Sequence, residues 1–186
     1  MKKVENQFLK PIILYLLVLA LSLTYQIYDI KPISFIITIL MLAVPMKYLQ
    51  TIPVKINIHH ILISLCACIV TLAPYCIVTI TFLSGIFIVP PINYSLFQLF
   101  GTAIPEELFF RAYLQENLGQ NKISILIVSL MFSLCHFGLF YVTGNIEHLF
   151  VFLPSLIMGW LYFKTKNILP SIIYHYLANM VYACVY

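Results

Sequence analysis

Long apolar runs, each closed off by charges, prolines or a short polar cluster, follow one another along this chain with little between them. Taken run by run they predict seven helices: about Pro11 to Tyr28, Pro32 to Leu49, His60 to Leu83, Tyr94 to Leu118, Ile123 to Thr143, His148 to Phe163 and Ile168 to Tyr186. Strands of a closed barrel would be about ten residues long and alternate in polarity, and these runs do neither. The stretch "SGIFIVPPINYS", Ser84 to Ser95, interrupts the series. Gly85 and the Pro90-Pro91 pair cannot continue a regular helix, so an external loop is expected there.

Composition turns this series of helices into a membrane protein. Of 186 residues, 62% are hydrophobic and 9% charged, with a mean hydropathy of +1.01, against about 25% charged in an ordinary soluble domain. At about 20 residues per crossing, the length suits about six to eight spans, and 1–186 is expected as a single integral membrane domain. Because an isolated segment in lipid must satisfy its own backbone hydrogen bonds, the fold class expected is an all-α transmembrane bundle.

Charge then orients the bundle. The net charge is +4, but the basic residues sit singly or in pairs between apolar runs, a distribution that belongs to membrane topology rather than to a nucleic-acid partner. With the amino terminus in the cytoplasm, Lys2, Lys3, Lys10, Lys47, Lys55, Lys122, Lys164 and Lys166 fall inside and Lys31 alone outside. The first run follows its lysines as a signal peptide would, yet no small-residue cleavage site closes it, so a retained span is expected. The five cysteines, Cys66, Cys68, Cys76, Cys135 and Cys184, lie in apolar segments with no CxxC pair, and read as small core residues. Neither an internal repeat of the transporter kind nor a low-complexity tract is visible.

Against this background "PEELFFRAYLQ", Pro105 to Gln115, stands out. An ionisable residue at the centre of a span costs about 2.5 to 3.5 kcal/mol on insertion scales, so Glu106, Glu107 and Arg111 need partners or a function. Glu107 and Arg111 share a helix face at four residues' spacing and are expected to pair. Glu106, turned about 100° away, is left as a candidate general base. A buried network of all three that only fixes helix packing is the competing reading. Pro105 suggests a helix kinked or broken near Gly101 to Pro105, presenting Glu106 at a partial helix start, or else a smooth kink that serves packing. "FSLCH" sets Phe132 and His136 on one face of the fifth helix, and "HYLAN" does the same for His175 and Asn179 on the seventh. Two histidines, an asparagine and two glutamates on three spans suggest one shared site. His59 and His60 read as interfacial, and Glu147 with His148 beside Asn145 reads as a helix cap.

In order and spacing, "EELFFR", "FSLCH" and "HYLAN" resemble the EExxxR, FxxxH and HxxxN motifs of the CPBP family, the CAAX-protease and bacteriocin-processing intramembrane proteases also called Abi proteins. The likeness covers residues 94–179, which would be the catalytic core. It implies a glutamic intramembrane protease of the bacterial cytoplasmic membrane. Glu106 would be the catalytic glutamate, His136 its helper in activating water, and His175 with Asn179 the oxyanion pair. Glu107, Arg111 and Phe132 would support the site. Amide hydrolysis needs such a base and such donors. Two histidines and a glutamate can also bind zinc. With no HExxH pair, and a second carboxylate better explained by its arginine, a metal-independent reaction without a cofactor is expected.

The partners expected are the bilayer and a membrane-associated peptide or protein, such as a CAAX-like or C-terminal sorting segment. The short length and the form of the first motif are similar to the myxosortase-like branch, although Ala112 stands where glycine is common in the family. A non-catalytic immunity or peptide-binding protein of the same fold, and a small transporter, remain as alternatives. Depth offers a check. Counted from the cytoplasmic helix ends, Glu106 and His136 lie about 18 to 20 Å deep and His175 about 10 Å, so the last helix must start earlier than Ile168, or tilt, for the three to meet.

Overall fold

The computed structural model describes residues 2–48, 52–82 and 86–185, with side chains from residue 9 onward. The predicted helix ends at Leu49, Leu83 and Tyr186, the loop residues Ser84 and Gly85, and the side chains of Lys2 and Lys3 lie outside the described residues. Among the described residues every regular element is helical.

Helices α1 (Lys2–Tyr28), α2 (Lys31–Tyr48) and α3 (Ile58–Phe82) come first. Asp29 makes the reversal between α1 and α2, taking a left-handed φ of 51° while its N–H reaches Tyr25 O at 2.9 Å. Then α4 (Ile92–Phe97), a π-helical segment (Gln98–Ala103), α5 (Ile104–Glu107) and a second π-helical segment (Leu108–Gln115) run on without a break, since the joining residues Gln98, Ile104, Leu108 and Glu116 all keep right-handed helical angles. Helices α6 (Lys122–Leu134) and α7 (Phe137–Thr143), a 3-10 turn (Ile146–Leu149), α8 (Phe152–Thr165) and α9 (Leu169–Val185) complete the chain.

These elements form the seven helical stretches that the apolar runs predict. Five of them are long and apolar enough to cross a membrane: Leu9–Tyr28, Lys31–Tyr48, Ile58–Phe82, Lys122–Thr143 and Ile146–Thr165. The protein is a multi-pass integral membrane protein. The two remaining stretches are the charged rod over 92–115 and α9, and burial explains their character. All eight residues of Leu108–Gln115 are buried, and a helix buried on every side belongs at the centre of a bundle. Phe109, Phe110, Tyr113 and Leu114 join Tyr15, Val18, Met41, Val128 and Met158 in one core around this rod. Ala112, fully buried, packs against Tyr162, Ile168 and Ile172 on another side. Helix α3 lies outermost, with Ile69, Val70 and Ile77 exposed as a lipid-facing surface requires.

Three expectations need correction. Of the kink or break expected in the fourth helix near Gly101 to Pro105, the break is not found. The helix changes register through a π turn instead, and the Gly101 carbonyl, which Pro105 cannot serve as an α-helical donor, accepts a hydrogen bond from the Thr38 hydroxyl at 3.3 Å. The fifth helix is not continuous, because Cys135 and His136 form a turn between α6 and α7. Cys66 is exposed rather than a core residue, whereas Cys68 and Cys135 are buried.

Hydrogen bonds between loops fix which helix ends gather together. At one end Asn167 accepts from Lys55 N at 3.0 Å, Ile168 N donates to Pro53 O at 2.8 Å, and the Lys166 ammonium donates to Gln120 at 2.9 Å. At the other, Ile88 N donates to Cys184 O at 2.8 Å, tying the 86–91 segment to the end of α9. The first of these clusters also explains how His175 reaches the site. Asn167 and Ile168 have no exposed surface, so α9 starts sunk in the bundle under residues 53–55, and a depth counted from its first residue falls short. It starts at Leu169, no earlier than expected.

Candidate active site

Two π segments flank the four residues of α5, and departures of this kind from the α ladder concentrate at functional sites. Between them Glu106 and Glu107 leave the rod in different directions and meet different surroundings.

Glu107 has no exposed surface and both its oxygens are engaged. Oε2 accepts from Arg111 Nε at 3.1 Å, and Oε1 lies 2.9 Å from His175 Nδ1. Arg111, equally buried, also donates from Nη2 to Ser155 Oγ on α8 at 2.8 Å. The expected ion pair is therefore present, and it is wider than expected, joining the rod to both α8 and α9. Since a carboxylate can only accept, His175 Nδ1 is the donor in its contact with Glu107. Phe132 fills the space among these groups: its ring centroid lies 5.0 Å from that of His136 and 5.8 Å from that of His175, and the Arg111 guanidinium carbon stands 5.7 Å from its centre.

Glu106 keeps 20% of its side chain exposed. Its Oε2 is 3.7 Å from His175 Nε2, beyond hydrogen-bond length, and makes no hydrogen bond among the described residues. Glu106 and His136 line one cavity of about 200 Å³ between the rod, α1, α2 and α6. His136 sits at the turn with φ −100° and ψ 1°, in the sparsely populated bridge region where many active-site residues lie. Its Nδ1 is 3.0 Å from the Phe132 carbonyl. A carbonyl cannot donate, so Nδ1 carries the proton and a neutral ring keeps its lone pair at Nε2.

The local sequence makes that turn. Asn121 and Ser124 form a capping box that starts α6, and Gly144, with φ 70°, closes α7. From α1, the Gln26 amide spans the break: Nε2 donates to Cys135 O at 2.8 Å and Oε1 accepts from Leu139 N at 3.2 Å. Gly138 leaves room for it, as a Cβ there would stand 2.6 Å from Gln26 Oε1 and 2.8 Å from Gln26 Cβ.

The four candidate residues thus occupy two tiers. Glu106 and His136 face the cavity. His175 stands behind Glu106, and neither it nor Asn179 forms part of the cavity wall. Asn179, a turn further along α9, donates from Nδ2 to Gln98 Oε1 at 3.0 Å. Gln26, Gln98 and Ser155 were not identified from sequence. The two glutamines carried a signal, since each is an amide inside an apolar run, whereas a serine in a span carries none. His148 follows the Asn145 cap as expected, with Asn145 Oδ1 accepting from Glu147 N at 2.9 Å. For a metal, Glu107 is already committed to Arg111 and His175, which leaves Glu106 and the Nε2 atoms of the two histidines. Among the described residues no three His, Cys, Asp or Glu side chains are arranged to hold an ion.

A family model described as Type II CAAX prenyl endopeptidase Rce1-like matches residues 88–181, a stretch that takes in Glu106, His136, His175 and Asn179. The chain is also similar to UPF0177 protein YxdF of Lactococcus lactis subsp. lactis (strain IL1403), at 34% identity over 85 residues, 44% of this chain and 45% of that protein. The match therefore spans less than half of that relative's length. No solved structure matches the chain.

Proposed function

Because the chain belongs to the Rce1-like type II CAAX prenyl endopeptidase family, we propose that it is an intramembrane endopeptidase, hydrolysing a peptide bond of a membrane-associated protein or peptide with water activated by Glu106 and His136. One observation carries this reading: of two adjacent glutamates, one has both oxygens engaged, while the other is partly exposed on a cavity that a histidine shares and has its second oxygen, turned toward His175, without a hydrogen bond.

In the reaction a water in the cavity lies between the Glu106 carboxylate and the His136 Nε2 lone pair. Glu106 takes its proton as the oxygen attacks the peptide carbonyl carbon. The carbonyl electrons move onto oxygen, and His175 and Asn179, which stand behind Glu106 outside the cavity wall, are the proposed donors to that charge once the bound peptide reaches them: Asn179 through its second Nδ2 hydrogen, and His175 through Nε2 as an imidazolium, its Nδ1 proton being held by Glu107. When the tetrahedral intermediate collapses, the C–N bond breaks and the departing amine takes the proton from Glu106. Glu107, Arg111 and Ser155 hold His175 in place, and Phe132 separates the two rings. We read the reaction as metal-independent, because the second carboxylate, Glu107, is taken up by Arg111 and His175. The substrate class is a C-terminal sorting or CAAX-like segment, and the location is the bacterial cytoplasmic membrane with the amino terminus inside.

The test is comparative proteomics of C-terminal and membrane-released peptides from cells carrying active or Glu106→Gln protein at equal expression. Peptide ends that vanish in the variant are the expected result. Ends that persist at the parental level overturn the reading, and a biological role that survives the substitution favours a non-catalytic protein. Retention of activity after dialysis against a chelator is expected as well, and restoration by zinc of activity lost there would reverse the metal assignment.

A further inference from the structure

The cavity in front of Glu106 is not evenly placed along the bundle. Its wall draws Ser22 and Gln26 from the last two turns of α1, Ser34 and Thr38 from the first two turns of α2, and Gly101 and Thr102 from the part of the rod that precedes Glu106. Every one of these positions lies on the side of Glu106 nearest the α1–α2 reversal. Toward the opposite end the space is stopped by Met41, Phe110 and Phe132, with relative exposures of 4%, 1% and 3%, and beyond them Phe109, Tyr113 and Leu114 are sealed. At the reversal end the hydroxyls and the Gln26 amide are interspersed with Tyr25, Ile37 and Phe97, whereas Met41, Phe110 and Phe132 make the floor apolar throughout.

From this placement, and resting on the peptidase reading, we infer that water and the peptide substrate reach Glu106 from the end of the bundle that carries the α1–α2 reversal, and that this end faces away from the cytoplasm. The polar wall supplies what both need. A water crossing an otherwise apolar bundle requires hydrogen-bond partners, and a peptide in extended form must leave its own N–H and C=O groups satisfied. Ser34 and Thr38 each donate their hydroxyl proton within the protein, to Lys31 O at 2.8 Å and Gly101 O at 3.3 Å, and so keep lone pairs that accept from a peptide N–H.

Sidedness comes from the lysines. The ends joined through Lys55, Lys166 and Gln120 form one pole of the bundle, and Lys47, Lys122 and Lys164 lie at helix ends that belong to it. At the reversal stands Lys31 alone. An excess of lysine marks the cytoplasmic face, so the cavity opens on the other. The substrate is then a peptide segment presented on the non-cytoplasmic side of the membrane rather than the cytoplasmic tail of a peripheral protein.

Cysteine labelling tests the inference without reference to catalysis. In a chain whose five native cysteines are replaced, Ser34→Cys and Thr38→Cys are exposed to a charged, membrane-impermeant methanethiosulfonate in intact spheroplasts and in inverted vesicles, with Lys47→Cys as the marker of the opposite pole. Labelling of the two cavity positions in spheroplasts and of Lys47→Cys in inverted vesicles is expected. Labelling of the cavity positions only in inverted vesicles, or in neither preparation, overturns the inference. If the cysteine-free chain does not fold, the same substitutions in the native background, scored as label above the parent, give the same decision. The two readings fail separately: an active Glu106→Gln protein ends the peptidase reading whatever the labelling shows, and wrong-side labelling leaves the peptidase reading in place.

Discussion

Glu106 and Glu107 are neighbours in sequence and opposites in setting. Glu107 belongs to a closed region, where Arg111 and His175 take both its carboxylate oxygens, Ser155 accepts from Arg111, and Glu107, Arg111 and Ser155 have no exposed surface. Glu106 belongs to an open one, with 20% of its side chain exposed, one oxygen without a hydrogen bond, and a cavity in front. The difference teaches how a bundle this apolar keeps charge. A paired, fully hydrogen-bonded group can be buried and serves to fix geometry, while an incompletely paired one persists only where a second benefit offsets its cost. Substitutions in the two regions should therefore fail in different assays.

The largest effect is expected at Glu106. Glu106→Gln keeps the shape and removes the base, so activity should fall about 10²- to 10⁴-fold while thermal stability in detergent stays close to that of the parent. A matching loss of stability would move Glu106 into the closed region and erase the contrast. Arg111→Met should do the reverse. It leaves the Glu107 carboxylate buried with His175 as its remaining partner, at a cost of about 3 to 5 kcal/mol, read as a lowered unfolding midpoint. Adding Glu107→Gln to Arg111→Met should recover part of that loss, because the unpaired charge goes with it. A double variant no more stable than the single one would show that packing, not charge, holds this region.

How much of this was legible in the sequence follows the same division. The Glu107–Arg111 pair was readable because helical spacing alone brings the two together, and the seven helical stretches were readable because apolar length is sufficient signal in a membrane protein. The continuity of the rod was not. A proline four residues after a glycine looks like a break, and the Thr38 hydroxyl that serves the Gly101 carbonyl comes from another helix, where the run itself carries no sign of it. The turn at His136 was hidden for a similar reason. Residues 123–143 are evenly apolar, and what holds the turn is an amide from α1 more than a hundred positions away in the chain. The depth of His175 was misjudged because the burial of Asn167 and Ile168 depends on a segment packed over them, which no local pattern records.

Ser155 sharpens the comparison at intermediate scale. It takes one of the hydrogen bonds of a buried guanidinium, and Ser155→Ala leaves that Arg111 Nη2 donor without an acceptor. A loss of about 1 to 3 kcal/mol is expected, with catalysis lowered only as far as His175 loosens. Ser155→Thr, which restores the hydroxyl, should recover part of it. An alanine variant as stable as the parent would mean that Arg111 is held by Glu107 and Phe132 alone.

Gln26 probes the seam between the two regions. Its two hydrogen bonds to Cys135 O and Leu139 N bracket His136 without touching it, so it is a positioning residue. Gln26→Met preserves length and apolar contact while removing both bonds, each worth about 0.5 to 1.5 kcal/mol. If the amide only glued α1 to α7, stability would fall and the surviving folded enzyme would work normally. If it sets the His136 turn, kcat per folded molecule should fall with KM little changed. Gly138→Ala separates the two further: its Cβ would meet Gln26 Cβ at 2.8 Å, an atom too close to the α1 backbone to swing aside. Helices α1 and α7 must then part, and kcat should fall as in Gln26→Met although the glutamine is intact. Pairing Gly138→Ala with Gln26→Gly removes the opposing Cβ along with the amide, which relieves the collision but leaves the turn unbraced, so stability should recover apart from about 1 kcal/mol for a glycine within α1, while kcat does not. Recovery of both would return Gln26 to the structural scaffold and leave Glu106 and His136 as the whole of the open region's chemistry.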